Sequence, residues 1–231
     1  MPRSPEAEPL QVLYEDNHCL AVWKPARLLT TGDQTGDESL QDQVRDYLKH
    51  KYNKPGNVFV GLVHRLDRPV SGVVLFARTS KGAARLSEQF RVGSIVKVYH
   101  AIVEGRFETP AGELVNYLLK NHNTNVVQSV PRGTPGAKES RLRYQVLKSA
   151  GGLTRVEITP ETGRSHQIRV QLAERGHPIC GDGKYGSSRN LQGTIALHAA
   201  RLTFDHPTRH EPLTVTAPEP AHWAQWFPGL C

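Results

Sequence analysis

A single carboxylate stands among three basic side chains in the first third of the chain. It is Asp67, and its neighbours are His64, Arg65 and Arg68. The apolar run 73–77 follows and predicts a buried strand, so we expect Asp67 on a sharp turn at the mouth of that strand. An Asp in such a turn is often only a turn former that hydrogen-bonds its own backbone. A turn anchored by a buried strand is also a position suited to acid–base or nucleophilic chemistry.

A second group of polar and basic side chains, residues 159–171, runs from a Gly-containing turn into a predicted helix. The free amides and the dipole of a helix start add to Arg164 and Arg169, which suits an anion such as phosphate. The alternative is a helix start that is merely solvated. Arg169 lies at the edge of the face expected to be buried, and a buried Arg needs an acidic partner. Asp67 is one candidate for that partner.

Residue types that zinc accepts occur at His166, His177, Cys180 and Asp182. A lone His-x-x-Cys spacing is a weak signal, and the glycines and proline around it are typical of turns, so we expect no metal. His198, in an apolar stretch, is expected to be a hydrogen-bonded core histidine. The sequence contains neither a Walker-type phosphate loop nor a dinucleotide glycine fingerprint, and no cofactor is expected.

Hydrophobic periodicity predicts the elements that position these residues. Gly93 and Gly176 are expected to end the second and third helices. Alternation along one strand places Lys97 and Tyr99 on the same face. The stretch 121–138 is rich in Asn, Pro, Gly and Thr and is expected to be a long loop or an irregular hairpin. The predicted helices cover 38–51, 80–92 and about 167–175, and the predicted strands lie within 11–25, 73–77, 95–105, 142–147, 153–159, 196–204 and 213–217.

These elements define the expected fold class. Eight or more strands alternate with a few helices without regular βαβ order, which predicts an α+β fold. We expect a single domain with a mixed, mostly antiparallel central sheet flanked by helices and loops. Residues 1–9, which carry prolines and acidic side chains, are expected to be a flexible tail, and residues 10–231 to form the domain.

Charge and composition narrow the classes of partner. The 231 residues include 29 Lys and Arg against 22 Asp and Glu, a net charge of +7, which favours a polyanionic partner over a merely basic protein without one. No apolar stretch is long enough to span a bilayer, and the start of the chain lacks a signal core. The three cysteines are widely spaced, which suits a reducing compartment. We expect a cytoplasmic protein.

The combined pattern resembles the RluA-type RNA pseudouridine synthases, and the resemblance covers nearly the whole chain after the tail. Each short block that carries it is weak alone, but together, in this order, the blocks are specific. The resemblance implies the pseudouridine-synthase type of domain. The blocks are His64-Arg65-Leu66-Asp67 with Ser71-Gly72, Lys97-Val98-Tyr99, the segment 162–170, and Gly181-Asp182 with Tyr185-Gly186 leading to Leu197-His198-Ala199.

The resemblance implies that Asp67 is the essential carboxylate in exchanging the N1 glycosidic bond of uracil for a bond to C5, with no cofactor and no metal. Arg169 is then the expected partner of Asp67. Tyr99 is the expected aromatic that stacks on the target base after that base is flipped out of the RNA. Whether the carboxylate attacks the sugar or the base, or removes a sugar proton, stays open.

Five further residues are expected to contact the substrate. By the resemblance, Arg65 fills the space that the flipped base vacates, and Leu197 forms an apolar wall beneath the uracil. Lys97 and Arg164 are expected to contact RNA phosphates or to support the site, and His64 is grouped with these RNA contacts. Lys97 is equally well interpreted as a solvated strand residue.

Two departures from the family pattern bear on substrate choice. Gln171 stands where many members have His, and Pro69-Val70 replaces a commoner pair. The chain is also expected to lack the small N-terminal S4-like RNA-binding domain of many relatives. The catalytic domain would then find its own RNA, through its basic surface and the 121–138 stretch. The expected partner is a ribosomal or transfer RNA stem-loop, and the expected state is a monomer.

Two other functions are open to the sequence. One is a non-catalytic RNA-binding protein on the same scaffold, which would require the loss of a catalytic residue. The other is a metal-dependent nuclease or hydrolase that uses His177, Cys180 and Asp182. A chelator separates the second function from a metal-independent isomerase.

Overall fold

One continuous sheet connects the strands of the described part of the chain. The computed structural model describes residues 10–121 and 123–231, and within them eleven strands form this sheet, accompanied by four α-helices. The expected tail, residues 1–9, lies outside the described residues. None of the helices in the described part of the chain has the length and apolar character that crossing a membrane requires.

The strands are β1 (Val12–Glu15), β2 (Cys19–Lys24), β3 (Gly61–Leu62), β4 (Ser71–Ala77), β5 (Val96–Glu104), β6 (Ala111–Asn121), β7 (Val126–Val130), β8 (Lys138–Ala150), β9 (Leu153–Pro160), β10 (Leu197–Asp205) and β11 (Pro212–Thr216). The helices are α1 (Leu40–Lys51), α2 (Ser80–Val92), α3 (Gln167–Glu174) and α4 (Trp223–Trp226), with a short 3-10 helix at Gly183–Tyr185.

The strand order is β1-β2-β4-β10-β5-β9-β8-β6-β7, with β3 paired to β4 and β11 paired to β10. The pair β4–β10 is parallel and the other pairs are antiparallel, which confirms the expected mixed, mostly antiparallel sheet. Gly72 makes the parallel contact possible. Its φ is +126°, and a Cβ there would lie 2.3 Å from the backbone oxygen of Ala199.

The apolar core explains the predicted helices and the central strand. All seven residues of β4 are buried, as expected for a continuous apolar run covered on both faces. Helix α1 buries Leu40, Val44 and Leu48 on one face, and Ser39 begins it with a capping box. Helix α2 covers the predicted range and ends at Gly93 in the left-handed conformation.

The end of the sheet formed by β6 and β7 agrees with the expectation for the 121–138 stretch and departs from it in strand β6. The 121–138 stretch is an irregular hairpin arm, because it contains β7, which pairs with β6. Strand β6 was not predicted. Leu114 and Leu118 are buried on one face of β6, but the residue between them on that face is Asn116, so the apolar alternation of a strand is interrupted.

Candidate active site

Asp67 lies on a tight turn directly before β4, where the sequence places it. The Val70 amide donates to the carbonyl of Asp67 at 3.0 Å, which closes the turn across Arg68 and Pro69. The carboxylate is 27% exposed and faces a cavity. A side chain on such a turn is held by the backbone while remaining open to a ligand.

Two buried side chains hold this turn from behind. The Thr30 hydroxyl donates to the carbonyl of Leu66 at 2.8 Å and accepts from the amide of Leu66 at 3.2 Å. The Lys24 ammonium is fully buried and donates to three backbone carbonyls, including that of Arg68 at 3.2 Å. Burial lowers the pKa of Lys24 to about 7, although the nearby Asp67 carboxylate raises it. No pattern in the sequence indicated that Thr30 or Lys24 supports this turn.

The Arg169 guanidinium joins two carboxylates at the base of the cavity. Its Nε and Nη2 donate to Asp182 at 2.6 and 2.8 Å, and its Nη1 donates to Oδ2 of Asp67 at 3.1 Å. Arg169 is 5% exposed, and its guanidinium lies 5.0 Å from the centre of the Tyr185 ring. Burial lowers the pKa of Arg169, but Asp182 and Asp67 outweigh it, so the net shift is upward. The guanidinium therefore provides a fixed positive charge beside Asp67.

The expected Asp67–Arg169 contact is present, and Asp182 is the additional partner that sequence reasoning missed. In the sequence, Asp182 was part of a family block and a possible zinc ligand, but it was not expected to pair with Arg169. In the structure its carboxylate is occupied by Arg169, and the Nδ1 of His177 faces the carbonyl of Glu104 at 3.1 Å. Among residues 10–121 and 123–231, the group of three possible metal ligands with mutual distances within 4.8 Å lies elsewhere, and it consists of Asp16, Cys19 and His206.

His166 is a second residue at this site whose contact with Asp67 the sequence did not predict, since His166 was considered there only as a possible zinc ligand and as part of the 162–170 block. It precedes α3 with φ of 52°, and its side chain is only 7% exposed. Its Nε2 lies 3.7 Å from Oδ2 of Asp67, and its Nδ1 lies 2.6 Å from the hydroxyl of Tyr185. The signal available in the sequence was the position of His166 within the 162–170 block.

The walls of the cavity combine aromatic, apolar and cationic groups. The cavity has a volume of about 670 Å³, within the range of pockets that enclose small ligands. Lys97 and Tyr99 both line it from β5, as their predicted shared face requires, and Leu197 lines it from the neighbouring β10. Burial, and then the charge of Asp67, raise the pKa of the Tyr99 hydroxyl, and burial lowers the pKa of Lys97.

A cationic rim surrounds the opening of the cavity. Arg65 and Arg164 are exposed there, as expected for residues that contact a polyanion, and the Nε of Arg164 donates to the carbonyl of Glu139 at 3.0 Å. Such a rim attracts phosphate groups and releases their counterions on binding. The rim consists of Arg65, Arg68, Lys120, Arg164 and Lys184.

His64 occupies a different place from the expected one. It is not among the residues that line the cavity. Its Nε2 accepts from the amide of Leu75 at 2.9 Å, and its ring stacks on Phe90 with centroids 4.6 Å apart. Burial, assisted by Lys97, lowers the pKa of His64 to about 3, so the ring is neutral. An RNA contact from His64 has no counterpart in this geometry, because the ring supports the strand behind Asp67.

Two other sequence interpretations concern residues away from the cavity. His198 is fully buried and hydrogen-bonded to Ser71 at 2.9 Å and to the carbonyl of Ala217 at 3.2 Å, which confirms it as a core histidine. The amide of Gln171, a departure from the family pattern, donates to the carbonyl of Leu114 at 3.0 Å. Gln171 therefore ties α3 to β6 and does not enter the cavity.

This arrangement defines a class of enzyme. A carboxylate with one oxygen held by a buried guanidinium can act on a sugar or a base, the aromatic and apolar walls suit a flat ring, and the rim suits a polyanionic chain. The site is therefore that of an enzyme acting on a nucleoside within a nucleic acid.

Comparison with known proteins agrees with this class. The sequence profile of the family described as RNA pseudouridylate synthase matches residues 18–174. The chain is 34% identical over 221 residues to the ribosomal large subunit pseudouridine synthase C of Vibrio cholerae, covering 93% of this chain and 67% of that protein. It is 32% identical to the tRNA pseudouridine synthase C of Yersinia pestis, covering 96% and 89%. The chain therefore belongs to the RluA-type RNA pseudouridine synthases, isomerases whose partner is RNA.

A solved structure supports the fold. The human RNA pseudouridylate synthase domain containing 4 superposes with a TM-score of 0.78 at 25% identity, covering 93% of this chain and 90% of that one. The expected pseudouridine-synthase type of domain is confirmed.

Proposed function

We propose that this chain converts specific uridines to pseudouridine in ribosomal or transfer RNA, with Asp67 as the catalytic carboxylate. The observation that carries this proposal is the shared guanidinium of Arg169. It donates two hydrogen bonds to Asp182 and one to Asp67, at the base of a cavity that Tyr99 lines. Both oxygens of Asp182 are therefore bound, whereas Oδ1 of Asp67 remains available to react.

The reaction exchanges one bond for another. The bond between N1 of uracil and C1′ of the ribose breaks, the ring turns within the cavity, and C5 forms a new bond to C1′. The hydrogen on C5 leaves as a proton and N1 takes up a proton in its place, so the product is an isomer of the substrate. An ionised Asp67 can attack C1′ or the base, or can remove the proton on C2′. In each case Arg169 holds Oδ2 of Asp67 by a hydrogen bond of 3.1 Å and leaves Oδ1 for the reaction.

The walls of the cavity serve the flipped base. A uridine in a folded RNA must leave its stack to reach Asp67, and an aromatic face replaces the lost stacking, a contribution of about 1–3 kcal/mol per base. Tyr99 supplies that face, and Leu197, 3% exposed, supplies the apolar wall. Arg65 is exposed on the rim, from which it can enter the space that the base leaves in the RNA.

The rim holds the RNA backbone. Lys97 and Arg164 contact phosphates or support the site, and Lys120 and Lys184 extend the positive surface toward the β6–β7 hairpin. The substrate on this proposal is a local stem-loop, bound by a monomer in the cytoplasm. An isolated stem-loop that is never modified, although its intact parent RNA is, would reject the stem-loop part of the proposal.

The test uses RNA that carries tritium at C5 of uridine. Wild-type protein and Asp67→Asn are incubated separately with ribosomal RNA and with total small RNA, and release of tritium to water is measured. Release by the wild type alone establishes the reaction and assigns Asp67. Asp46→Asn is the matched control, since Asp46 is an exposed carboxylate on α1, and it should release tritium as the wild type does.

Two outcomes would reject the proposal. RNA that binds tightly but keeps its tritium in both pools would indicate a non-catalytic RNA-binding protein. Loss of activity in EDTA would indicate a metal-dependent reaction, whereas the proposed chemistry uses only side chains and proceeds unchanged in the chelator.

A further inference from the structure

A chain of polar groups connects the β6–β7 hairpin to the catalytic carboxylate. The amide of Val127 on β7 donates to the hydroxyl of Tyr185 at 3.1 Å. The same hydroxyl lies 2.6 Å from Nδ1 of His166, and Nε2 of His166 lies 3.7 Å from Oδ2 of Asp67. That last distance is just beyond a hydrogen bond, so a small shift of either side chain closes it.

The groups at the two ends of this hydrogen-bonded series, the Val127 amide and the Asp67 carboxylate, select one tautomer of His166. A backbone amide can only donate, so the Tyr185 oxygen accepts from Val127 and keeps its own hydrogen for another acceptor. Nδ1 of His166 is the acceptor within reach. A neutral imidazole that accepts at Nδ1 carries its hydrogen on Nε2. That hydrogen then faces a carboxylate, which is its best partner.

The surroundings keep His166 neutral. Burial lowers the pKa of His166, and Asp67 opposes this effect by raising it. The other charged groups that face the ring are Arg169 and Lys184, which lower the pKa, and Asp182, which raises it. The net shift is downward, so the imidazole acts as a neutral hydrogen-bond donor rather than as a cation.

We propose that His166 is a positioning residue for Asp67: Tyr185 fixes the Nε2–H tautomer, and this N–H, together with Arg169, holds Oδ2 so that Oδ1 is the oxygen presented to the nucleoside. Among the described residues, no donor contacts Oδ1, whereas Arg169 and His166 both address Oδ2. The proposal rests on the proposed function only in naming the reaction that Oδ1 serves.

The backbone of His166 offers a way to separate this role from a structural one. With φ of 52°, His166 adopts the left-handed conformation, which Asn tolerates better than most residues. If His166 mattered only for the entry into α3, His166→Asn would be the milder substitution. The amide nitrogen of Gln, however, reaches the position of Nε2, whereas the amide of Asn reaches only that of Nδ1.

The first experiment therefore compares His166→Gln with His166→Asn in the tritium-release assay. Residues that orient a reactive group typically contribute about 10–100-fold. We expect kcat to fall about 30-fold in His166→Asn and only about 3-fold in His166→Gln, with KM within about 2-fold of the wild type. His50→Gln, on the exposed end of α1, is the control and should leave both constants unchanged. A smaller loss in His166→Asn than in His166→Gln overturns the proposal.

The second experiment removes one oxygen atom. Tyr185→Phe keeps the ring that packs on Arg169 and deletes only the hydroxyl that faces His166. We expect kcat to fall about 10-fold without a change in KM. The ¹⁵N shifts of the imidazole, assigned by their loss in His166→Gln, should show Nε2–H in the wild type and a shift toward Nδ1–H in Tyr185→Phe.

These measurements can reject the proposed function and the positioning role of His166 independently of each other. If the wild type is active but His166 carries its hydrogen on Nδ1, the proposed function stands and the positioning role of His166 is overturned. If the wild type releases no tritium, the proposed function is rejected. If that wild type nevertheless carries the Nε2–H tautomer, and Tyr185→Phe shifts it toward Nδ1–H, the effect of Tyr185 on His166 is supported. A melting temperature measured for each variant identifies any loss of folding, and an unchanged kcat in folded Tyr185→Phe overturns the positioning role.

Discussion

Two turns of this protein present a carboxylate to the same guanidinium, and they differ in almost every other respect. Asp182, after α3, is 2% exposed and takes two hydrogen bonds from Arg169, at 2.6 and 2.8 Å. Asp67, before β4, is 27% exposed and takes one, at 3.1 Å. Residue type and partner are identical, so exposure and the number of hydrogen bonds separate the two roles. A fully paired, buried carboxylate stabilises, and a singly held, accessible one can react.

The largest expected difference concerns catalysis. Asp67→Asn removes the carboxylate proposed to react and should lower kcat by about 10⁴-fold or more, while the free energy of unfolding changes by less than about 1 kcal/mol, because the side chain is partly exposed. Tritium release and urea unfolding on the same preparation measure both. A large loss of stability in Asp67→Asn would erase the distinction between the two turns.

The reverse pattern is expected for the other carboxylate. Asp182→Asn breaks a buried ion pair and should lower the free energy of unfolding by about 3 kcal/mol or more. Activity should also fall, since Arg169 loses the partner that orients it. Urea unfolding at neutral pH tests this prediction, with Asp67→Asn as the matched control. Equal stability of Asp182→Asn and the wild type would show that Asp182 is not the anchor.

A third prediction assigns the loss of folding stability at acid pH to His198 rather than to either carboxylate. Burial lowers the pKa of His198 from its ordinary value of 6.5 to about 4. The unfolded chain therefore binds more protons than the folded chain between these values. The stability that the neutral His198 contributes is fully present above pH 6.5 and is lost as the pH falls toward 4. This lost contribution to the free energy of unfolding is about 3 kcal/mol. Urea unfolding at pH 7 and pH 4.5 should show a smaller decrease in His198→Asn than in the wild type; an equal decrease would assign the acid sensitivity elsewhere.

The smallest effect is expected on the rim. Lys120→Ala would remove the phosphate contact proposed for this lysine, and should raise KM about 3-fold, leave kcat unchanged and reduce the slope of log affinity against log salt by about 1. Lys148→Ala, an exposed lysine outside the cavity lining, is the control. A change in kcat would place Lys120 nearer the chemistry than the rim position indicates.

Much of the fold was predictable because local signals agreed with burial. Helix α2 carries an apolar face and ends at Gly93, and β4 is a continuous apolar run, so both were located correctly. Strand β6 was missed because its two faces are not cleanly apolar and polar: Asn116 lies between Leu114 and Leu118, and Val115 is 41% exposed. Its pairing with β7 and β8, rather than its own pattern, makes it a strand.

The site was predictable as a set of residues but not as a geometry. Arg169 at the edge of an apolar face required an acidic partner, and Asp67 was found as one. Its main partner, Asp182, depends on how the chain turns after α3, and the contact of His166 with Tyr185 depends on the same turn. Such contacts form between segments whose spacing in the sequence carries no periodic signal. For the same reason, His64 could be recognised in its block but not placed behind β4.

Asp67 and Arg169 are synthesised at different times, because they are far apart in the sequence. Asp67 and Arg169 are 102 residues apart, so at a translation rate of about 5–20 residues per second the carboxylate is made about 5–20 s before its guanidinium. Asp182 follows Arg169 after only 13 more residues. A nascent chain therefore holds Asp67 without its guanidinium for a little under half of its synthesis. The charge pair, and with it the catalysis proposed for Asp67, can form only when the last quarter of the polypeptide emerges.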